Sequence, residues 1–158
     1  MPFFIEETDE KRALEILHWK YKFPYDFYNN EMTDESLAEM LDGSYQMVID
    51  GKQDLFGFFC TEKSAQVPAG RKIGAYPENF TDIGLGMDPV RTGKGSGAEF
   101  FACILQYIEE SHTGIPLRLT VARFNKRAIH LYAKFGFVKE KEFKTDFAEF
   151  ITMIKEQS

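Results

Sequence analysis

The alternation of apolar and polar positions divides the chain into short elements. Phe3-Phe4-Ile5 is an apolar strand, and Thr8-Asp9-Glu10 after it is a helix-start cluster. Ala13, Leu14, Ile16, Leu17 and Tyr21 recur at helical spacing, which predicts a helix running up to Pro24. Thr33 caps a second helix, with Asp34 and Glu35 in its electropositive first turn and Leu37, Met40 and Leu41 on its apolar face; Gly43 ends it. Residues 45–49 and 55–61 are β-rich runs around Asp50-Gly51, a hairpin turn signal. Residues 63–79 are polar, contain Pro68, Gly70, Gly74 and Pro77, and read as one long loop, a kind of segment that is often functional.

A strand over residues 80–87 follows, interrupted by Gly84 and Gly86 and closed by Asp88-Pro89. Glycine inside a strand marks a bulge or a close backbone approach, and a bulged, opened strand is expected here. Gly93-Lys94-Gly95-Ser96-Gly97 then opens an amphipathic helix with the stripe Ala98, Phe101, Ala102, Leu105 and Ile108, and Gly114 lies past its end. Residues 117–121 form a strand. Asn125 caps a helix carrying Ala128, Ile129, Tyr132 and Phe135 that stops at Gly136, and residues 137–143 and 147–154 are the last two strands. The order β-α-α-β-β-β-α-β-α-β-β predicts a mixed α/β domain rather than a strict βαβ alternation. No linker or repeat divides the pattern, so residues 1–158 are expected to form a single domain.

Composition narrows the function classes. Sixteen Phe and seven Tyr argue against disorder. With 19 basic and 25 acidic residues the net charge is −6, which gives no help to nucleic-acid or anionic-membrane binding, so neither partner is expected. Cys60 and Cys103 sit in apolar runs and belong to no CxxC pair, against a disulfide framework or a thiolate zinc site. The first ten residues lack the basic region of a signal peptide, and no apolar run approaches the roughly 18 residues of a membrane span. A reduced, cytoplasmic protein is expected. His18, His112 and His130 form no HExxH or clustered pattern, so no metal site or Ser-His triad is expected. Ser96 has Lys94 rather than glycine two places before it and is no nucleophile elbow.

Strand, glycine-rich turn, helix is a physical recipe for holding a phosphate. Glycines let the backbone approach an oxyanion, first-turn amides point outward, and the helix dipole adds partial positive charge. Lys94 and Arg91 add mobile cations. A Walker A loop fails, because Asp88 stands for its first glycine and Gly95 for its Ser/Thr. A Rossmann fingerprint fails too, since Gly93, Gly95 and Gly97 are spaced GxGxG and come late in the chain. On these residues alone, a turn that merely starts a helix stands level with a phosphate site.

The wider segment from Met87 to Gly97 resembles the acyl-CoA signature (Q/R)xxGx(G/A) of the GNAT N-acyltransferase superfamily. Gly95 and Gly97 match its glycines, and Thr92 stands at its Gln/Arg position. Downstream, Asn125-Lys126-Arg127-Ala128-Ile129-His130-Leu131-Tyr132-Ala133-Lys134-Phe135-Gly136-Phe137 resembles the family's NxxAxxLYxxxGF element. The resemblance implies an α/β (α+β) fold: a mixed, mostly antiparallel, twisted sheet of six to seven strands flanked by four helices, with a V-shaped split between strands 4 and 5.

It also implies a direct acetyl transfer from acetyl-CoA to a small-molecule or peptide amine, with CoA as product. Leu85 and Met87 would meet the pantetheine arm, and Arg91, Thr92, Gly93, Lys94, Gly95, Ser96 and Gly97 the diphosphate. Asn125 and Tyr132 would complete the cofactor site, with Tyr132 as the acid that protonates the leaving thiolate. Asp82 stands where relatives often carry Glu and is a candidate base; a solvent-facing strand acid is the plainer reading. The aromatic and acidic segment 23–29 is a candidate acceptor region through Tyr25 and Tyr28, which would equally serve to pack the helices. A catalytically idle domain of the same fold, binding CoA or a protein partner, is the alternative, and a homodimer stays open, since the sequence does not fix the oligomeric state.

Overall fold

The computed structural model describes residues 3–77 and 79–157. Seven strands run β1 (Phe4–Glu7), β2 (Tyr45–Ile49), β3 (Leu55–Thr61), β4 (Thr81–Met87), β5 (Leu117–Ala122), β6 (Val138–Lys144) and β7 (Glu149–Lys155). Their hydrogen-bonded order is β1-β2-β3-β4-β5-β7-β6. β4 and β5 are parallel, whereas the β1–β2, β2–β3, β5–β7 and β6–β7 pairs are antiparallel. Among the described residues there are five α-helices, one more than the resemblance implies: α1 (Glu10–Leu17), α2 (Asp34–Met40), α3 (Pro68–Lys72), α4 (Gly97–Ser111) and α5 (Lys126–Lys134). The extra one, α3, lies in the stretch expected to be a long loop, and a 3-10 turn at Glu62–Ala65 leads into that stretch. Pro68 starts α3 because its fixed φ suits the first helical position.

The chain divides into two compact units, Met1–Cys60 with Leu85–Cys103, and Thr61–Gly84 with Ile104–Ser158. In the first, Asp9 caps α1 by accepting the Arg12 amide, and Thr33 and Ser36 form a reciprocal capping box on α2. Ala13, Ile16, Leu17, Trp19, Met40, Met47, Ile49 and Leu55 make its core, with Tyr21, Leu37, Tyr45 and Phe58 packed against it. α1 ends well before Pro24, so the helical spacing overran: the amides of His18 and Trp19 already turn back onto the last turn, and Tyr21 lies beyond the helix.

In the second unit, β5 and β7 are buried along most of their length, while β6 (Val-Lys-Glu-Lys-Glu-Phe-Lys) is an exposed edge strand. Its charges protect that edge against adventitious pairing. α4 begins in one unit and ends in the other, and its buried stripe is Phe100, Phe101, Ile104, Leu105 and Ile108. Ala98 and Ala102 are exposed instead, because the helix turns its bulkier Phe100 and Ile104 inward.

Within the first unit, β3 and the end of β4 approach closely through glycines. A Cβ on Gly57 would lie 2.5 Å from the Gly86 carbonyl oxygen and 2.5 Å from the Phe100 ring, and one on Gly86 would meet the Phe58 ring at 2.4 Å. Gly86 therefore answers to a close approach. Gly57→Ala is expected to cost about 1–3 kcal/mol of stability, because the overlap falls on main chain and ring rather than on a flexible tip. Urea unfolding measures it; a cost below about 0.5 kcal/mol would mean that the two strands part without penalty.

Candidate active site

In the first unit the last part of β4 runs into the glycine turn, and each step is anchored. The Asp88 amide donates to the Phe56 carbonyl on β3 (2.9 Å). The Asp88 side chain caps a short 3-10 turn at Pro89–Arg91 by accepting the Val90 amide (3.1 Å). The Thr92 hydroxyl donates to the Pro89 carbonyl (2.8 Å). Arg91 lies over the Phe56 ring, 5.2 Å from its centroid, and its Nη1 pairs with Asp50 Oδ2 at 2.9 Å. Asp50, at the β2–β3 turn, also accepts the Lys52 and Asp54 amides. Burial alone would raise the Asp50 pKa, but those amide bonds and the Arg91 guanidinium outweigh it and hold the carboxyl below the usual range.

The turn over residues 93–97 follows this anchor. Gly93 and Gly95 take φ of +73° and +83°, a region that L side chains avoid, so glycine is required there. A Cβ at Gly95 would meet nothing within 4 Å, which leaves space above the turn. The first intrahelical bond of α4 runs from the Phe100 amide to the Ser96 carbonyl, so the amides of Gly97 and Ala98 precede the ladder at the positive end of the dipole. Lys94 is exposed beside them.

Tyr21, which the helical spacing assigned to the first helix, belongs to this part of the molecule. Its hydroxyl donates to the Met87 carbonyl at 2.7 Å, and its amide donates to Asn29 Oδ1 at 2.7 Å. Burial first, and then the Asp88 carboxylate, push its phenol well above the ordinary tyrosine pKa, so it stays protonated and keeps donating. Tyr25 and Tyr28 lie half-buried in the 3-10 turn at Tyr25–Tyr28, just before Asn29, and Tyr28 meets Phe27 edge-on at 5.3 Å.

In the second unit, Asn125 caps α5 by accepting the Ala128 amide at 3.1 Å. The other end closes in a Schellman motif: the Gly136 amide donates to the Ala133 carbonyl and the Phe137 amide to the Tyr132 carbonyl, with Gly136 at φ +94°. Tyr132 therefore sits on a helix whose two ends are both fixed. It is buried, and its ring lies 6.4 Å from that of Phe137.

Asp82 is not a solvent-facing acid. It is 2% exposed, and its oxygens accept from Arg118 Nε (2.6 Å), Arg118 Nη2 (2.8 Å) and Gln66 Nε2 (2.8 Å). Register pairs the two residues directly, Asp82 on β4 with Arg118 on β5. Nη2 of Arg118 also donates to the Pro77 carbonyl (3.1 Å), and the guanidinium lies 4.6 Å from the Phe80 centroid and 5.1 Å from that of Tyr76. Tyr76 is itself tied to Thr120 and to the Val67 amide. Glu62, at φ +62°, has its pKa raised by burial and then by the Asp82 charge. This geometry stands against the base role: to accept a proton, Asp82 would surrender a two-pronged buried ion pair.

The β4–β5 ladder covers Thr81↔Leu117, Asp82↔Arg118 and Ile83↔Leu119 and ends there, although β4 continues to Met87 and β5 to Ala122. The split between strands 4 and 5 was expected at this place. Residues 12–137 match the model of the acetyltransferase (GNAT) family, and the chain belongs to that family. It is thereby an acyltransferase by class. A GNAT-family acetyltransferase from Bacillus anthracis shares the fold with a TM-score of 0.73, at 16% identity over 99% of this chain and 95% of that one. A chimera of the spermidine N-acetyltransferase SpeG from Vibrio cholerae and hSSAT gives 0.71, at 19% identity over 99% and 96%. No curated protein matches the chain.

Asp82→Ala is expected to destabilise the protein by about 3–5 kcal/mol, because it leaves the Arg118 charge buried and unpaired. The double change Asp82→Ala with Arg118→Met should recover most of that loss in chemical denaturation. A single-variant loss below about 1 kcal/mol, the value of a surface pair, would contradict the structural role.

Proposed function

We propose that the protein is an acetyl-CoA-dependent N-acetyltransferase that delivers an acetyl group to a primary amine by direct attack in a ternary complex. The observation that carries this reading is the anchored turn at residues 93–97, with two left-handed glycines leading into a helix N-terminus in a chain of the GNAT family. Acetyl-CoA, when bound, supplies an acetyl group activated as a thioester. The residues fit such a group: no atom lies within 4 Å of a Cβ position at Gly95 to block a diphosphate, the entrance of α4 attracts it, and Lys94 adds a cation. Arg91 and Thr92 act behind the turn, Arg91 through Asp50 and Thr92 through Pro89, and Ser96 and Gly97 bring the chain into the helix.

Main-chain groups of Leu85 and the amide of Met87, whose carbonyl is already taken by Tyr21, receive the pantetheine arm as a neighbouring strand would. Asn125 adds a contact from the start of α5, and Tyr132 protonates the departing thiolate. In the transfer the nitrogen–carbon bond forms and the carbon–sulfur bond breaks. The Tyr132 O–H proton passes to sulfur, the surplus proton on nitrogen passes to solvent, and solvent reprotonates the phenolate. With Asp82 committed to Arg118, the reading favours acceptors that are partly neutral without a base, such as an α-amino group of pKa ~7.7–8.0. Tyr25 and Tyr28 contact the body of the acceptor. A structural neighbour named for spermidine N-acetylation supports an amine as acceptor class. Among the described residues no helix is long and apolar enough to cross a membrane.

Tyr132→Phe is expected to lower kcat by about 100-fold, the lower range for loss of a general acid, while CoA affinity by calorimetry stays within about twofold. Free-thiol release from acetyl-CoA across a panel of amines is the assay. Unchanged turnover in the variant would remove Tyr132 from the acid role. Wild-type protein that binds CoA but releases no thiol with any amine would instead be the idle domain.

A further inference from the structure

We propose that Tyr21 is the acceptor-binding residue that orients the amine at the end of β4, an inference that rests on the N-acetyltransferase reading. The Asp88 amide faces β3, where it meets the Phe56 carbonyl. Main-chain groups of successive residues in an extended strand point to opposite edges, so the Met87 carbonyl faces the other edge of β4. The Tyr21 hydroxyl lies on that edge, 2.7 Å from the Met87 oxygen. This is the edge that the proposed function gives to the pantetheine arm of the acyl donor.

The bond to Met87 also settles the polarity of the hydroxyl. A phenol has one proton to donate and oxygen lone pairs to accept with. The proton is committed to the Met87 carbonyl, so the oxygen can offer a further partner only acceptance. A group that meets it must bring a hydrogen, as an amine does. An amine that donates one N–H to Tyr21 keeps its lone pair free for the thioester carbon, which is the orientation that attack requires.

The surroundings favour the same ligand. Asp88 places a carboxylate close enough to influence the phenol. A carboxylate attracts an amine in its ammonium form. The Asn29 side chain on the Tyr21 amide fixes the backbone from which the ring projects, and Asn29 closes the turn that carries Tyr25 and Tyr28.

The test is steady-state kinetics of wild type and Tyr21→Phe with acetyl-CoA and three amines: spermidine, lysine amide and phenylethylamine. The variant keeps the ring and its packing, and a thermal melt checks that it folds. The expected result is a rise of about tenfold in the amine KM, equivalent to about 1.4 kcal/mol, with the acetyl-CoA KM unchanged within about twofold. An unchanged amine KM in an active variant overturns the role of Tyr21 and leaves the enzyme reading standing. So does an equal rise in both KM values, which is what a purely structural tyrosine would give. A wild-type protein inactive with all three amines and with a wider amine panel overturns both readings together.

Discussion

A strand that loses its neighbour partway along must find other partners for its main-chain groups, and β4 is such a strand. Its parallel ladder with β5 covers three residue pairs and stops at Ile83, yet the strand continues to Met87. Main-chain donors and acceptors shielded from water need partners, and side chains or a ligand must supply them once the ladder ends. At Met87 the Tyr21 hydroxyl does so from within the chain. The proposed acyl donor would serve the remainder, so the fold's irregularity and its function come from one feature.

The beginning and end of β4 are held by different physics. Asp82, near its start, is locked to Arg118 by a two-pronged ion pair enclosed by the Tyr76 and Phe80 rings, where low polarity makes a missing partner costly. Near its end, the contacts of Gly57 with Phe100 and of Gly86 with Phe58 leave no room for a Cβ. The glycine turn beyond is fixed from behind by Arg91 and Asp50 rather than by its own side chains. A rigid mount with an open front suits a site that must grip a flexible, multiply charged ligand.

Local chemistry made much of this legible in the sequence. Asp50-Gly51 placed the β2–β3 hairpin, Thr33 and Asn125 placed two helix starts, and Gly136 placed a helix end, because each rule depends on neighbours within a few residues. The glycine turn and the Asn125–Phe137 segment carried the family. What escaped depends on distant partners. Tyr21 fits a helical repeat equally well whether or not the helix continues, and only its contact with Met87, 66 residues away, shows its place. Arg118 inside Leu-Arg-Leu was a readable signal, since a cation in a buried strand needs a counter-charge, and Asp82 sits in the neighbouring strand. Ala98 and Ala102 were assigned inward because small residues fit either face of a helix; the larger Phe100 and Ile104 decided its rotation.

Amide hydrogen exchange, read residue by residue with and without CoA, bears most directly on the central claim. CoA should slow exchange at Leu85 and Met87 and at the amides of residues 93–97, with little change along β6. Exchange that stays the same at both the β4 end and the glycine turn, at a CoA concentration shown by calorimetry to saturate the protein, would contradict it.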